Sequence, residues 1–329
     1  MTARIPTLFL LTVWWILLGP QHARAQTLSQ AARTALEQSM VMAILMTTGD
    51  NIQLGFMDFD PNELTGLDDD ALGNDNSLTS RSELTMMSLP WHYTPMRYNQ
   101  SLTLSGQIAF LNEYNEVYLT DTSGSSDIID TTILDARLGA SWRHRFDMAW
   151  SAIAGLNGHV LEYRNDTQFR SPDSRTVGSL TDGQLTNIRA HSWLLEPTLG
   201  MEYLSAWYGM QARFHSTWHY LDGGAIKPDN AALNVSPQAW YWSNGIRLLQ
   251  PLFVGGGRRQ NLMYSLSQIN VGGQLEAPVG SNRYYEFGLG WFIDTSDLNK
   301  WVDNVGLSAV INYGSDLRGG TLVLLYNVR

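Results

Sequence analysis

Alternation of apolar and polar residues runs through most of the chain and constrains its fold more than any other feature. In the segment ILDARLGASWRHRF, residues 133–146, Leu134 and Leu138 lie on one parity while Asp135 and Arg137 lie on the other. Successive side chains of a β-strand point to opposite faces of the sheet, so this segment has one apolar face and one charged face. Because no helical pattern interrupts the later alternating segments, we predict an all-β body built from an antiparallel sheet.

The connections between the alternating segments differ in length in a regular order. We predict about twelve strands, at residues 51–59, 83–94, 100–112, 132–145, 148–163, 188–203, 207–220, 237–250, 258–277, 284–293, 303–313 and 319–329. Over the first nine strands the long connections, 60–82, 113–131, 164–187 and 221–236, alternate with the short ones, 95–99, 146–147, 204–206 and 251–257. All long loops therefore leave one end of the sheet, as in transmembrane antiparallel β-barrels of the outer membrane, whose periplasmic turns are short.

The tryptophans favour a membrane barrel over a soluble sandwich. On the predicted register Trp91, Trp142, Trp150, Trp207, Trp291 and Trp301 fall at the turn end, and Trp193, Trp218, Trp240 and Trp242 fall at the long-loop end. Aromatic rings in a bilayer favour the two interfaces, whereas a soluble core would hold tryptophan in the middle of a strand. We therefore predict that the apolar parity faces lipid and that the charged parity faces the lumen.

Two segments fit this pattern poorly. The apolar parity of Leu266 does not continue into Ile269 and Val271, which predicts a β-bulge near residues 267–270 or two short strands. Alternation is also weak in the first strand, NIQLGFMDF, at residues 51–59. Counts of ten or fourteen strands therefore stay open.

The N-terminus has the parts of a secretory signal peptide: the basic Arg4, an apolar run over residues 5–18, and the small residues Ala23 and Ala25 at a cleavage site. We predict a signal peptide at residues 1–25, cleaved after Ala25, and export to the cell outer membrane of a Gram-negative bacterium.

The composition restricts the chain further. The sequence has no cysteine, so disulfides do not stabilise it. A net charge of −10 argues against nucleic acid as a partner.

One helix is predicted ahead of the strands. Residues 28–46, LSQAARTALEQSMVMAILM, consist largely of helix formers and contain no glycine, no proline and no period of two. The segment TTGD at residues 47–50 ends the pattern. The predicted organisation is thus a signal peptide at 1–25, a helical segment at 26–50 that is a candidate pore plug, and an outer-membrane barrel at 51–329.

A signal peptide, one helix and about twelve strands, in this order, resemble the translocator domain of the autotransporters. The chain is similar to the solitary outer-membrane autotransporter-like barrels, in which no passenger domain precedes the helix. In autotransporters a helix lies inside a twelve-stranded pore, so the resemblance implies that residues 28–46 form a helix inside the pore or just below it. It also implies contact with outer-membrane lipid and lipopolysaccharide, insertion by the outer-membrane assembly machinery, and a monomer. One departure is the ending LYNVR, where Tyr326 stands in place of a terminal aromatic residue.

Charged and polar residues on the inward parity are the candidate lumen residues: Asp135, Arg137, Arg143, Glu196, Glu202, Arg213, His215, His219, Arg247, Glu276 and Glu286. Two interpretations stay open. The residues balance the interior charge of a narrow barrel and hold the helix, because an unpaired buried charge is costly. Alternatively, they form a constriction that selects among solutes, as in a porin. The predicted partners on the helix are Gln30, Arg33, Glu37 and Gln38.

An outer-membrane lipid-modifying hydrolase is the alternative from another functional class. Such an enzyme needs a serine and a histidine two residues apart on one lipid-facing strand, where base and nucleophile can hydrogen bond. The nearest candidates are His191 with Ser192 and His215 with Ser216 or Thr217. Adjacent residues face opposite sides of the sheet, and Thr217 is predicted to face the lumen. We therefore predict no catalytic residues and no cofactor.

The most acidic stretch of the chain is a candidate calcium loop. In residues 58–76, Asp58, Asp60 and Asn62 have the early spacing of such a loop, but Glu63 stands where the sharp turn needs glycine. We predict a solvated loop and no metal site.

The function that fits these patterns is a single-domain, non-enzymatic outer-membrane barrel with a transport-like or structural role. A plugged barrel that acts as a surface adhesin through the loops 113–131 and 164–187 is a further alternative.

Overall fold

The computed structural model contains one antiparallel sheet with a helix inside it. It describes residues 21–48, 53–55, 58–59, 84–95, 100–117, 127–170, 172–183, 186–252, 258–296, 304–314 and 319–326. The helices are α1 (Gln21–Thr47), α2 (Pro172–Thr181) and α3 (Glu276–Val279), with a 3-10 turn at Ala231–Leu233. The strands are β1 (Gln53–Gly55), β2 (Asp58–Phe59), β3 (Leu84–Tyr93), β4 (Gln100–Val117), β5 (Asp127–Arg145), β6 (Trp150–Gln168), β7 (Arg189–Trp207), β8 (Met210–Ala225), β9 (Gln238–Pro251), β10 (Gln260–Gly273), β11 (Arg283–Asp294), β12 (Asn304–Tyr313) and β13 (Gly319–Tyr326).

The sheet closes through its first strand. Each strand from β3 to β13 pairs with its sequence neighbour, while β1 pairs with β3 and β2 pairs with β13. The two short segments β1 and β2 are parts of the predicted first strand, and the two residues between them lie outside the described chain. Eleven long strands and one interrupted strand therefore confirm the predicted all-β antiparallel barrel of about twelve strands.

Burial alternates along the strands and identifies the inner face. On β5, Asp135 is 3% exposed, while Leu138 is 67% exposed. On β7, the buried Leu194 and Glu196 alternate with the exposed Leu195. The apolar residues between the inward positions therefore face outward, as the membrane interpretation predicts.

All nine tryptophans in the described strands lie on the outer surface. Their exposed fractions range from 36% to 53%. They are Trp91, Trp142, Trp150, Trp207 and Trp291 toward the turn end, and Trp193, Trp218, Trp240 and Trp242 toward the long-loop end. Two belts of exposed aromatic residues are typical of membrane barrels. Trp301 lies outside the described residues.

The strands extend further on the long-loop side than the alternation predicts. Strand β4 continues to Val117 and β5 begins at Asp127, and the added segments pair with each other. Strand β6 likewise continues to Gln168. Much of the predicted loop 113–131 is therefore strand, because the backbone ladder continues where the side-chain alternation fades.

The predicted bulge in β10 was wrong. The strand pairs residue by residue with both β9 and β11 through residues 267–270. The change of parity has another cause: Ile269 and Val271 face inward and belong to the buried cluster that contains α1. Leu266, by contrast, faces outward and is exposed.

Helix α1 is longer than the sequence pattern predicts. It begins at Gln21 and ends at Thr47, whereas the prediction was 28–46. Residues 1–20 lie outside the described chain, so the signal peptide and its cleavage after Ala25 stay predictions. None of the described helices is both long and apolar enough to cross a membrane.

Candidate functional site

Helix α1 occupies the lumen of the barrel. Met40, Val41 and Ile44 are 0%, 0% and 1% exposed. They pack in one cluster with inward side chains of the strands, including Leu161 of β6 and Leu194 of β7. The inward side chains that pack against this part of α1 are therefore mainly apolar.

Polar contacts hold the N-terminal half of α1 to the long loops. Arg33 donates from Nη2 to the carbonyl oxygen of Ala231 at 2.6 Å. The Glu37 carboxylate accepts hydrogen bonds from the Ser236 N–H at 2.7 Å and from Gln274 Nε2 at 2.5 Å. These partners lie in the β8–β9 and β10–β11 connections. This half of α1 is therefore at the long-loop end of the barrel.

The barrel wall also contacts the C-terminal half of α1. Gln107 of β4 donates from Nε2 to the carbonyl oxygen of Thr47 at 2.6 Å. Ser192 Oγ of β7 lies 3.2 Å from Met40 Sδ. The last carbonyls of a helix have no partner within the helix, so Gln107 satisfies one of them inside the lumen. Loop and wall contacts thus fix α1 at both ends.

The predicted pairing of helix residues with lumen charges was wrong for Arg33 and Glu37. Their described partners are loop backbone atoms and an amide. For Gln30 and Gln38 the described part of the chain offers no hydrogen bond to the barrel. Their positions along the helix axis explain the difference. At a rise of about 1.5 Å per residue, Arg33 lies roughly 21 Å from Thr47 and Glu37 roughly 15 Å from it. The charged lumen residues lie nearer the level of Thr47.

A buried polar cluster lies in the lumen, with Glu196 of β7 at its centre. The Glu196 side chain is 0% exposed. His159 of β6 lies with Nε2 3.2 Å from Glu196 Oε2 and with Nδ1 3.0 Å from Asp135 Oδ2. The other oxygen, Oε1, lies 2.7 Å from His219 Nδ1 and accepts from the Tyr241 hydroxyl at 2.8 Å. The network therefore joins five consecutive strands, β5 to β9.

The geometry of this cluster favours a protonated histidine. His159 lies between two carboxylates, and its ring can donate from both nitrogens only as an imidazolium. Asn157 donates a further hydrogen bond to Glu196 Oε2 at 2.7 Å, so the buried carboxylate is well supplied with donors. Tyr241 also contacts Thr48, which follows α1. The cluster thus links the barrel wall to the inner end of the helix.

A second polar group lies nearer the turn end. Arg143 Nη1 is 2.8 Å from Glu202 Oε1, and Arg213 Nε is 3.8 Å from the same oxygen. The other predicted lumen residues on strands are half-buried on the inward parity: Arg137, His215, Arg247 and Glu286. Charges of both signs occur together here, which is an arrangement of charge balance rather than a ring of one sign.

Glu276 is the exception among the predicted lumen residues. Strand β10 ends at Gly273, whose φ of 69° takes the chain out of the extended conformation. Glu276 begins α3 instead and is exposed. The predicted strand at residues 258–277 was therefore wrong at its C-terminal end.

Sequence reasoning missed four members of the lumen network: Gln107, Asn157, His159 and Tyr241. All four lie on the inward parity of strands that were predicted. In β6 the segment NGHVLEY already places Asn157 and His159 on one parity, so a stricter use of the alternation finds both. Tyr241 is harder to find, because two outward tryptophans flank it and the three residues form one aromatic run.

The two adjacent histidine–serine candidates have their side chains on opposite faces of the sheet. His215 faces the lumen, paired across the strands with Glu202, whereas Ser216 faces outward. His191 faces outward, while Ser192 is buried against α1. Among the described residues, no group of histidine, aspartate and glutamate side chains is arranged to hold a metal ion. Only two residues of the acidic segment 58–76 are described.

Comparisons with known proteins give one family and distant barrel structures. The model of a family described as solitary outer membrane autotransporter beta-barrel domain matches residues 37–328. The solved beta domain of the Bordetella autotransporter BrkA is 11% identical, with a TM-score of 0.42 over 74% of this chain and 86% of that chain. LpxR from Salmonella typhimurium is 10% identical, with a TM-score of 0.40 over 75% of this chain and 88% of that chain. No curated protein matches the chain.

Proposed function

The chain belongs to the solitary outer membrane autotransporter β-barrel domain family, and from this premise we propose that it is a non-enzymatic outer-membrane barrel that its own helix keeps closed. The observation that carries the proposal is the burial of Met40, Val41 and Ile44 of α1 inside the lumen. A helix in a wide, water-filled channel would leave its middle turns exposed. Close packing against the inward apolar residues instead favours a plug.

The packing energy supports a closed state. Full burial of an aliphatic or methionine side chain contributes roughly 1.5–3 kcal/mol, so exposing three of them costs about 5–9 kcal/mol. Release of the helix would regain conformational entropy that offsets part of this cost, so the burial figure is an upper value for the free energy that favours the closed state. We therefore infer that any passage of solutes through the intact barrel is slow.

The long-loop end supports a role at the cell surface. Asp127 at the start of β5 accepts hydrogen bonds from the Arg170 N–H at 2.6 Å and from Ser174 Oγ of α2 at 2.8 Å. Asn187 Oδ1 accepts from the Thr167 N–H at 2.6 Å. These bonds fix the described parts of the β6–β7 connection against the strands. A connection with a fixed conformation can serve as a binding surface for a partner outside the cell, as in an adhesin.

Export and insertion are part of the same proposal. We infer cleavage of the signal peptide after Ala25, insertion by the outer-membrane assembly machinery, and a monomeric barrel in contact with outer-membrane lipid and lipopolysaccharide. The exposed apolar residues of the outward parity, which occur on the strands from β3 to β13, support the contact with lipid.

Deletion of residues 26–49 tests the plug. We expect the intact protein to give almost no current across planar bilayers and the deletion variant to give stable channels, because water enters the lumen when the helix is absent. Single-channel conductance is measured with equal amounts of both proteins. Heat-modifiable migration on a gel first establishes that each is folded.

A paired-cysteine variant covers the case in which the deletion variant does not fold. The chain has no native cysteine, and the side chains of Met40 and Ser192 are in contact. Met40→Cys combined with Ser192→Cys should therefore be joined by a short bifunctional thiol reagent in intact outer membranes, since the shortened side chain at position 40 leaves a gap too wide for a direct disulfide, while either single variant cannot be cross-linked within the chain. Open channels of equal size with and without residues 26–49, together with no cross-link, would sink the plug proposal.

Assays for lipid hydrolysis test the non-enzymatic part of the proposal. We expect the wild-type protein to release no fatty acid from phospholipid or lipopolysaccharide, because His215 and Ser216 face opposite sides of the sheet. Product is measured by mass spectrometry after extraction. Turnover by the wild type that disappears in His215→Ala would contradict a non-enzymatic role.

A further inference from the structure

A groove of about 510 Å³ crosses the outer surface of the barrel between β5 and β9. Trp142, Trp218 and Trp242 form its walls, and the small residues Ala152 and Ala154 lie on its floor. All five belong to the outward parity of their strands. The groove therefore faces the membrane and is separate from the plugged lumen.

Strand pairing places the groove along one line. Trp142, Ala154, Leu199, Trp218 and Trp242 are successive cross-strand neighbours. Neighbouring strands lie about 4.8 Å apart, so four spacings give a length of roughly 19 Å. Half of the hydrocarbon core is about 15 Å thick, and a line across strands tilted by about 40° is oblique to the membrane. The groove thus runs obliquely from Trp142 toward Trp242 and is long enough for one acyl chain that enters at its long-loop end.

The end of the groove at β9 carries a polar group in an apolar surface. Trp242 donates from Nε1 to Ser216 Oγ at 2.9 Å, and Ser216 Oγ donates to Asn244 Oδ1 at 2.7 Å. No acceptor for Asn244 Nδ2 is present in the described part of the chain. Asn244 lies on the outward parity between Trp242 and Ile246, each 45% exposed. An amide donor left without a partner in an apolar environment costs about 1–3 kcal/mol, which calls for a ligand.

We propose that this groove binds an acyl chain of lipid A from the outer leaflet, with a carbonyl of that chain accepting a hydrogen bond from the Asn244 amide. Trp242 lies toward the long loops, which in such barrels face the cell exterior, so the polar end meets the outer leaflet. The residues that line the groove are uncharged, so they fit a chain and its carbonyl rather than a phosphate group. The assignment rests on the outer-membrane location and not on the plug.

Native mass spectrometry of the full, folded, delipidated protein tests the site by titration with purified lipid A. We expect the wild type to retain one lipid A molecule. Ala154→Phe places a ring on the floor of the groove and should need about tenfold more lipid A for equal occupancy, since overpacking costs about 1–3 kcal/mol. Asn244→Leu removes the donor and should weaken retention about threefold to tenfold.

Ala309→Phe is the matched control, because Ala309 is an outward alanine on β12, outside the groove. It should retain lipid A as the wild type does. Three results would each overturn the assignment: equal retention by all variants, equal retention of phosphatidylethanolamine, or a protein dimer that Ala154→Phe dissociates. The last result would make a second copy of the chain the occupant. Heat-modifiable migration verifies that each variant is folded.

Discussion

Leu138→Arg should block stable insertion of the barrel into the membrane. Leu138 lies near the middle of β5 and points outward with 67% of its surface exposed. Arginine on the lipid face near the bilayer midplane costs about 2–4 kcal/mol, a large share of the roughly 5–15 kcal/mol that stabilises a typical protein. The measurement is the fraction of protein in isolated outer membranes that resists urea extraction and migrates as a heat-modifiable species. We expect most of this fraction to be lost.

Arg137→Ala is the matched control, one residue away on the opposite face. Arg137 is half-buried on the inward parity, so its truncation removes a lumen charge and places none in lipid. We expect membrane insertion close to that of the wild type. Loss of insertion in Arg137→Ala but not in Leu138→Arg would reverse the assignment of the two faces.

The outer face of this barrel was predictable because lipid imposes one rule on it. Most side chains on the outward parity of a strand must be apolar within the bilayer, so apolar positions such as Leu134 and Leu138 recur on strand after strand. Tryptophan at the strand ends and the alternation of loop lengths follow from the same environment. These signals are redundant, which is why a weak first strand did not obscure the fold.

The inner face was harder to predict because it has two environments. Around α1 the inward residues are apolar, as at Leu161 and Val271, while in the polar clusters they are charged, as at Glu196 and Arg143. In β10 the inward apolar residues at the long-loop end follow outward apolar residues nearer the turn end. In the sequence this change has the appearance of a bulge. Only the position of the helix distinguishes the two explanations.

The polar residues of the lumen could be predicted as a set, but their partners could not. Asp135, Glu196 and His219 fall on the inward parity, yet His159 is the residue that joins Asp135 to Glu196. Partnership between strands depends on their stagger around the barrel. Alternation within one strand carries no information about the stagger between neighbouring strands. A long connecting loop does not fix that stagger either.

Glu196→Ala should lower the free energy of unfolding by about 3–5 kcal/mol, the usual loss when one member of a buried charge pair is removed. The Glu196 carboxylate contacts donors on Asn157, His159, His219 and Tyr241. Alanine leaves these groups without an acceptor in a site that is closed to water. Urea-dependent unfolding in detergent, followed by tryptophan fluorescence, measures the loss. Because Tyr241 packs in the cluster that contains α1, the variant should also show more frequent channel openings.

Glu276→Ala removes the same side chain from an exposed position in α3 and should change stability by no more than about 0.5 kcal/mol. Glu196→Gln should fall between the two alanine variants, since glutamine keeps one acceptor but cannot balance the charge of a protonated His159. The glutamine side chain would also direct its NH₂ group toward the donors that the Glu196 carboxylate accepts from. A graded loss from glutamine to alanine, matched by the frequency of channel openings, would tie closure of the lumen to the charged network. Equal stability of Glu196→Ala and Glu276→Ala would mean that water already reaches the cluster, and that apolar packing alone holds the helix.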